Sequence, residues 1–163
     1  MAEYLGFPFV DAKDIITFRY DGKIDFDATK YRLDGFMKNH DRFVMPGFYG
    51  ALPDGMIKTM SRGGSDITGS ILARILNADM YENWTDVSGI LMADPRIVHH
   101  PKRIDKITYS ELRELSYMGA SVLHEEAIFP VKEKNIPINI LNTNHPEEGG
   151  TIIVEEDDGE SGE

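Results

Sequence analysis

Two adjacent glycines, Gly63 and Gly64, stand between Arg62 and the pair Ser65-Asp66, and directly after them Ile67, Ile71, Leu72, Ile75 and Leu76 recur at helical spacing. The spacing predicts a helix over 66–78 that buries one face, entered through backbone whose N–H groups no side chain covers. Such an entrance, with the positive end of the helix dipole behind it, attracts an anion. Arg62 on one side adds a fork for a carboxylate or phosphate, and Asp66 on the other adds a partner for a lysine or metal ion. The same residues also suit a plainer role, with Ser65 as an ordinary helix cap and Asp66 complementing the dipole.

The rest of the chain alternates helical and strand patterns. Phe7-Pro8-Phe9-Val10 reads as a short strand with a polar turn behind it, and 27–39 as a helix carrying Tyr31, Leu33, Phe36 and Met37, with Asp27 as its cap. The apolar run from Arg42 to Gly50 resembles the carboxyl end of a buried strand, and Pro53-Asp54-Gly55 within 51–59 is a hairpin signal. A strand follows over 79–86, ending in the polar turn Trp84-Thr85-Asp86-Val87-Ser88-Gly89. Open α/β sheets hold ligands at such strand ends. A helix over 109–117 begins near Thr108 with Glu111 three residues on, a capping-box pattern, and a second helix over 125–134 ends near Asn135. Strands over 137–142 and 151–154 close the pattern. Helices alternating with short strands predict a three-layer α/β/α sandwich with a mainly parallel sheet, with 1–154 as the folded part and no internal repeat.

Composition narrows the function classes. With 41% apolar and 10% aromatic residues, 163 residues can build a buried core. No apolar run is long enough to span a bilayer, and the first residues lack the pattern of a signal peptide, so the expected setting is cytoplasmic. Zero cysteines remove disulfides, thiolate metal sites and a cysteine nucleophile together. Six of the 28 acids fall in 155–163, read as an acidic disordered tail, which leaves about −5 of the net −11 for the remainder. Nucleic acid and anionic membranes are not expected partners, because both require a surplus of Lys and Arg.

Several weaker features take ordinary readings. His99-His100 and His124-Glu125-Glu126 lack metal-ligand spacing and read as surface residues, so no metal site is assigned. Trp84 and Tyr81 read as sheet core, Asp94-Pro95-Arg96 as a turn with a surface ion pair if it has no ligand, and Asn142-Thr143-Asn144-His145 as a loop.

The order of these motifs resembles the aspartokinases of the amino acid kinase family. The resemblance runs over about 9–154 and rests on Gly47-Phe48 with Gly50, Ser61-Arg62-Gly63-Gly64-Ser65-Asp66, Trp84-Thr85-Asp86-Val87-Ser88-Gly89-Ile90 and Ala93-Asp94-Pro95-Arg96. It continues through Tyr117-Met118-Gly119-Ala120-Ser121-Val122-Leu123-His124, Asn135-Ile136-Pro137-Ile138 and Asn142-Thr143. It implies an amino acid kinase fold incomplete at its N-terminus, and phosphorylation of the β-carboxylate of L-aspartate by ATP with Mg²⁺, the first step toward lysine, threonine and methionine. By the same resemblance Arg62 and Ser65 hold aspartate and Asp66 is catalytic, orienting a lysine around the transferring phosphoryl group. Thr85, Asp86, Leu91, Arg96, Ser121 and Val122 line the nucleotide site.

The sequence departs from the family pattern in three places. The opening Lys-Phe-Gly-Gly motif, whose lysine reaches the phosphates, occurs nowhere in these 163 residues, Ser121 stands where many members have Lys, and Glu125 stands where they have Pro. Lys102, Lys106 and Lys132 are the cations that remain to compensate. The expectation is therefore that Met1 is internal to a longer enzyme and that this nucleotide-binding half is weakly active or inactive alone, pairing as a homodimer or with the missing N-terminal half. A non-catalytic nucleotide-binding homologue, and a glutamate or nucleoside monophosphate kinase of the same fold, are the alternatives.

Overall fold

A computed structural model describes residues 1–61, 63–94, 96–117 and 123–155. The chain folds as two compact units, Met1–Leu76 and the remainder from Asn77. Among the described residues no helix is long and apolar enough to cross a membrane.

The first unit opens with α1 (Ala2–Leu5), which ends at left-handed Gly6, and α2 (Ala12–Ile15), whose first turn Asp11 caps by accepting from the Lys13 N–H at 3.1 Å. The strand expected around Phe9 is only an isolated bridge to Val44, and the polar turn behind it is α2. Asp11 is the reason, since its carboxylate turns the chain into a helix as soon as Val10 has entered the core. Helix α3 (Phe26–Met37) starts one residue earlier than its apolar pattern suggests, because Asp25 and not Asp27 is the cap, accepting from Ala28 N–H at 2.9 Å. Leu33 is fully buried on its inner face, whereas Tyr31 is 82% exposed.

Strands β1 (Tyr49–Ala51) and β2 (Ile57–Thr59) form the expected hairpin around Pro53-Asp54-Gly55, with Gly55 at φ 85°. Helix α4 (Gly64–Leu76) buries Ile71 and Ile75 against Val10, Ile15, Ile16, Phe18, Leu33 and Met60. That cluster is the core of the unit. Gly50 permits β1 to approach the chain after α2, since a Cβ there would lie 2.5 Å from the carbonyl oxygen of Ile16.

The second unit is built on a four-stranded sheet in the order β3 (Tyr81–Thr85), β7 (Ile138–Asn142), β8 (Thr151–Val154), β6 (Lys106–Thr108). Its outer ladders, β3 with β7 and β6 with β8, are parallel, and the central β7–β8 ladder is antiparallel. The sheet is thus α/β in class and mixed in direction. The reversal follows from the connection, for the loop between β7 and β8 carries no helix to return the chain. A short ribbon, β4 (Ile90–Leu91) with β5 (Arg103–Ile104), is additional to the elements expected from pattern.

Helix α5 (Tyr109–Tyr117) begins with a reciprocal capping box: Thr108 N–H donates to Glu111 Oε2 at 2.8 Å, and Glu111 N–H donates to Thr108 Oγ1 at 3.2 Å. Helix α6 (Glu125–Lys132) buries Ala127, Pro130 and Val131. Its exit runs through Asn135 at φ 54°, where the Tyr109 hydroxyl donates to the following Ile136 carbonyl at 3.1 Å. Trp84 is not core as the pattern suggested but 48% exposed on β3, an outer strand of this sheet, where its indole N–H donates to Glu82.

Two predictions test this account. The buried Thr17 N–H donates to the buried Thr29 hydroxyl at 3.0 Å, so Thr29→Val leaves an unpaired amide and lowers unfolding stability by about 1–3 kcal/mol in urea titrations. A loss within about 0.5 kcal/mol would mean that the amide is satisfied elsewhere. The Tyr49 hydroxyl donates to Asp11 at 2.7 Å and, with the Lys13 N–H, holds that carboxyl below its ordinary value. The contribution is present above the ordinary carboxylate range and vanishes as pH falls through the depressed value. The stability gap between the protein and Tyr49→Phe, followed by thermal unfolding, therefore closes on acidification.

Candidate functional site

In the first unit the glycine pair forms the entrance to α4, and its two members are glycine for different reasons. Gly63 has φ 82°, a left-handed conformation that costs an L-residue about 1–2 kcal/mol. Gly64 is helical, but a Cβ on it would lie 2.6 Å from the Phe48 ring and 2.8 Å from Met60 Cβ. The helix starts at Gly64, with the Ile67 N–H donating to the Gly63 carbonyl at 3.1 Å. Ser65 is thus an exposed residue of the first turn and not the cap. Asp66 is half-buried one residue further on. The result is a helix N-terminus entered through two glycines, with an exposed hydroxyl in its first turn. Arg62 lies outside the described residues.

In the second unit β3 and β7 run parallel, so Thr85 and Asn142 end at the same edge of the sheet, where β6 and β8 begin. Three loops converge at this edge. Thr85 is half-buried, and its hydroxyl donates to the exposed Asp86 carboxylate at 3.2 Å. The Thr143 N–H donates to the Thr85 carbonyl at 2.8 Å and joins the two strand ends. Asn142, buried, donates to Ser88 at 2.9 Å, and Ser88 in turn donates to Glu148. The wholly buried Thr151 hydroxyl accepts from Ile90 N–H at 2.8 Å and donates to the Ile104 carbonyl at 2.6 Å, tying the β4–β5 ribbon to the sheet. Gly89, at φ 108°, packs against the same hydroxyl where no Cβ fits.

Leu91 is exposed on that ribbon. Arg96 is also exposed, with its guanidinium forked onto Asp94 at 2.6–3.0 Å, and the Arg96 N–H closes an Asx turn on the same carboxylate at 2.8 Å. These bonds from Arg96 hold the Asp94 carboxyl below its ordinary range. The surface ion pair expected at Asp94-Pro95-Arg96 is present. Ser121 and Val122 lie outside the described residues.

Of the lysines proposed to replace the missing cation, Lys106 begins β6 at the ligand edge of the sheet. Lys132 is associated with the opposite edge, 3.9 Å from Glu155 and 5.7 Å over the ring of Tyr109, residues that follow the ends of β8 and β6. There it lines a cleft of about 580 Å³ with Tyr109, Leu112, Leu123, Ile128 and Phe129. Burial raises the Tyr109 hydroxyl well above its ordinary pKa, with Glu155 adding to the effect.

His99, His100 and His124 are exposed, in keeping with the surface reading. The sequence reading overlooked His145, Glu147 and Glu148, whose ligand atoms lie within 4.8 Å of one another, all exposed. It also overlooked the structural hydroxyls of Thr68 and Thr151, because a lone threonine carries no periodic signal.

The first unit carries a glycine-lined helix entrance, and the second, an α/β unit, gathers polar loops at its parallel strand ends. The model of the amino acid kinase family matches residues 2–142, and the chain belongs to that family. It is 50% identical to aspartokinase 3 of Bacillus subtilis over 119 residues, which is 73% of this chain and 26% of that protein. The crystal structure of Clostridium acetobutylicum aspartate kinase superposes with a TM-score of 0.88 at 53% identity, over 98% of this chain and 36% of that one. Escherichia coli aspartokinase III, in complex with aspartate and ADP, superposes with a TM-score of 0.80 at 30% identity over 93% of this chain and 35% of that one. The chain therefore spans roughly a quarter to a third of the length of these relatives.

The two glycines separate experimentally. Gly63→Ala costs about 1–2 kcal/mol through its backbone angle. Gly64→Ala carries no such backbone cost but must displace Phe48 or Met60, and costs about 1–3 kcal/mol by overpacking, with chemical-shift changes at Met60. Equal, small losses without shifts at Met60 would contradict the close approach.

Proposed function

We propose that this chain is the nucleotide-binding part of an aspartate kinase, acting in the ATP-dependent phosphorylation of the β-carboxylate of L-aspartate to 4-phospho-L-aspartate. The observation that carries the proposal is the entrance to α4, where left-handed Gly63 and sterically confined Gly64 set the helix N-terminus beside exposed Ser65. Family membership and the likeness to a relative solved with aspartate and ADP support it.

Phosphoryl transfer asks a protein chiefly to align two anions and to neutralise charge in flight. An aspartate carboxylate is already a nucleophile and needs no general base. The obstacle is its repulsion from the γ-phosphate, so backbone N–H groups and cations carry the work. In this reading Arg62 forks onto a substrate carboxylate, Ser65 and the first-turn amides of α4 hold the substrate, and Asp66 orients a lysine. Thr85, Asp86, Leu91, Arg96, Ser121 and Val122 bind the nucleotide, with Arg96 exchanging Asp94 for a phosphate. Exposed Asp86, next to the Thr85 hydroxyl, is the carboxylate that would help hold Mg²⁺, which would supply neutralisation of phosphate charge.

The family's phosphate-binding Lys-Phe-Gly-Gly motif is absent from these residues, so nucleotide binding is expected without efficient turnover unless a partner segment supplies that cation. Lys106 is the candidate on this chain, placed at the ligand edge of the sheet. The proposed setting is the cytoplasm, and the proposed partners are ATP, L-aspartate and either a second copy or a polypeptide carrying the missing motif.

Isothermal titration of MgATP into the chain is expected to show binding that Asp86→Ala weakens by about tenfold or more, the equivalent of one lost charge-assisted contact. Coupled ADP release with L-aspartate is expected to be weak or undetectable. Rapid aspartate-dependent turnover would overturn the need for the missing lysine, and equal nucleotide affinity in the variant would remove Asp86 from the nucleotide site.

A further inference from the structure

Phe48 has φ 86°, a left-handed conformation that bulky side chains rarely adopt. Its peptide is held on both sides. The Phe48 N–H donates to the Thr68 hydroxyl at 3.0 Å, and the Phe48 carbonyl accepts from the Met60 N–H at 2.7 Å. Thr68 sits one turn into α4, buried at 3% exposure, and its hydroxyl also lies 2.8 Å from the Gly64 carbonyl and 3.3 Å from Met60 Sδ. A threonine bonding back to the carbonyl four residues earlier is common in helices. The unusual element is the use of its remaining lone pair for an amide twenty residues earlier in the chain.

The consequence falls on the glycine loop. In its left-handed conformation Phe48 lays its ring against Gly64, and Gly47 brings the same turn to where a Cβ would be 3.1 Å from Ser65 Cα. The ring is still 46% exposed, so it covers Gly64 without being absorbed into the core. Strained backbone persists only where its surroundings over-determine it, and it concentrates at ligand sites. Here the surroundings are Thr68 and Met60, and the neighbour shaped by the strain is the anion-receiving entrance itself.

We propose that Thr68 is a positioning residue for the ligand loop, its hydroxyl fixing Phe48 in the left-handed conformation that packs the turn Gly47-Phe48 onto Gly64-Ser65. The importance of that loop for aspartate rests on the aspartate-kinase reading above. Thr68 touches no ligand. It acts through the 47–48 turn on the entrance to α4.

The test compares Thr68→Val, which keeps shape and loses the hydroxyl, with Thr68→Ser, which keeps the hydroxyl, on the full chain labelled with ¹⁵N. Amide hydrogen exchange is followed at Phe48, Met60 and Ile67, the last two being donors to the Phe48 and Gly63 carbonyls, and aspartate and MgATP affinities are measured in parallel. Thr68→Val is expected to speed exchange at these three amides by about tenfold or more, the scale of one lost hydrogen bond, with exchange in the middle of α4 unchanged and Thr68→Ser close to the original. Aspartate affinity is expected to fall with the exchange change, and MgATP affinity to stay. A folded Thr68→Val protein with unaltered exchange at all three amides overturns the inference. Should the unsubstituted chain bind no aspartate, the kinase reading fails while the exchange data still decide the role of Thr68. Should Thr68→Val not fold, Phe48→Gly decides: glycine accepts the backbone angle but removes the ring, so Ile67 exchange rises while Met60 remains protected, and an unchanged Ile67 overturns the proposal.

Discussion

The approach of Phe48 and Met60 to the backbone of Gly64, closer than any side chain on that residue would allow, governs the architecture of the first unit. It brings the open end of the β1–β2 hairpin, where Phe48 and Met60 flank the two strands, to the head of α4. It coincides with the left-handed backbone of Phe48, whose ring lies against the helix start. The apolar core of Ile15, Ile16, Leu33, Ile71 and Ile75 supplies the stability against which such a conformation can be maintained. Packing energy is converted at this point into a defined arrangement of backbone donors.

The second unit solves a related problem with a different buried hydroxyl. Thr151 opens β8, and its side chain joins Ile90 on one strand of the ribbon to Ile104 on the other. Thr29 in the first unit plays a similar part, closing the amide of Thr17 against α3. In each case a β-branched side chain fills apolar space with its methyl while its hydroxyl pairs with main-chain groups that the regular ladders leave over. The loops carrying Asp86, Ser88 and Leu91 are thereby fastened to a rigid sheet. That is the condition under which loop residues make precise contacts with a ligand.

The elements most legible in the sequence were those with a repeated signal or a local chemical signature. The stripe from Ile67 to Leu76 specified α4, Thr108 with Glu111 specified the start of α5, and Pro53-Asp54-Gly55 specified the hairpin. Failures arose where one residue outweighed a pattern. Asp25 captured the start of α3 from Asp27, Asp11 converted an expected turn into α2, and Trp84 stayed exposed because β3 is an outer strand of its sheet. The β4–β5 ribbon was invisible because two-residue strands have no period to detect. At the ligand loops the sequence revealed residue types and their order. It did not reveal the contacts from Thr68 to Phe48 and from Thr151 to the ribbon, which join chain segments twenty or more residues apart.

The Asp94–Arg96 fork means that the guanidinium of the second unit already has an anionic partner. A free guanidinium meets an anion directly, whereas one already engaged by two oxygens of an internal carboxylate must first exchange that partner. For a loop proposed to handle nucleotides, this imposes a threshold. Because the pair is exposed, that threshold is no more than about 1 kcal/mol, which a polyphosphate with further anchoring points would exceed. The same exposed pair adds correspondingly little to folding, and its part in anion binding rests on the proposed nucleotide role.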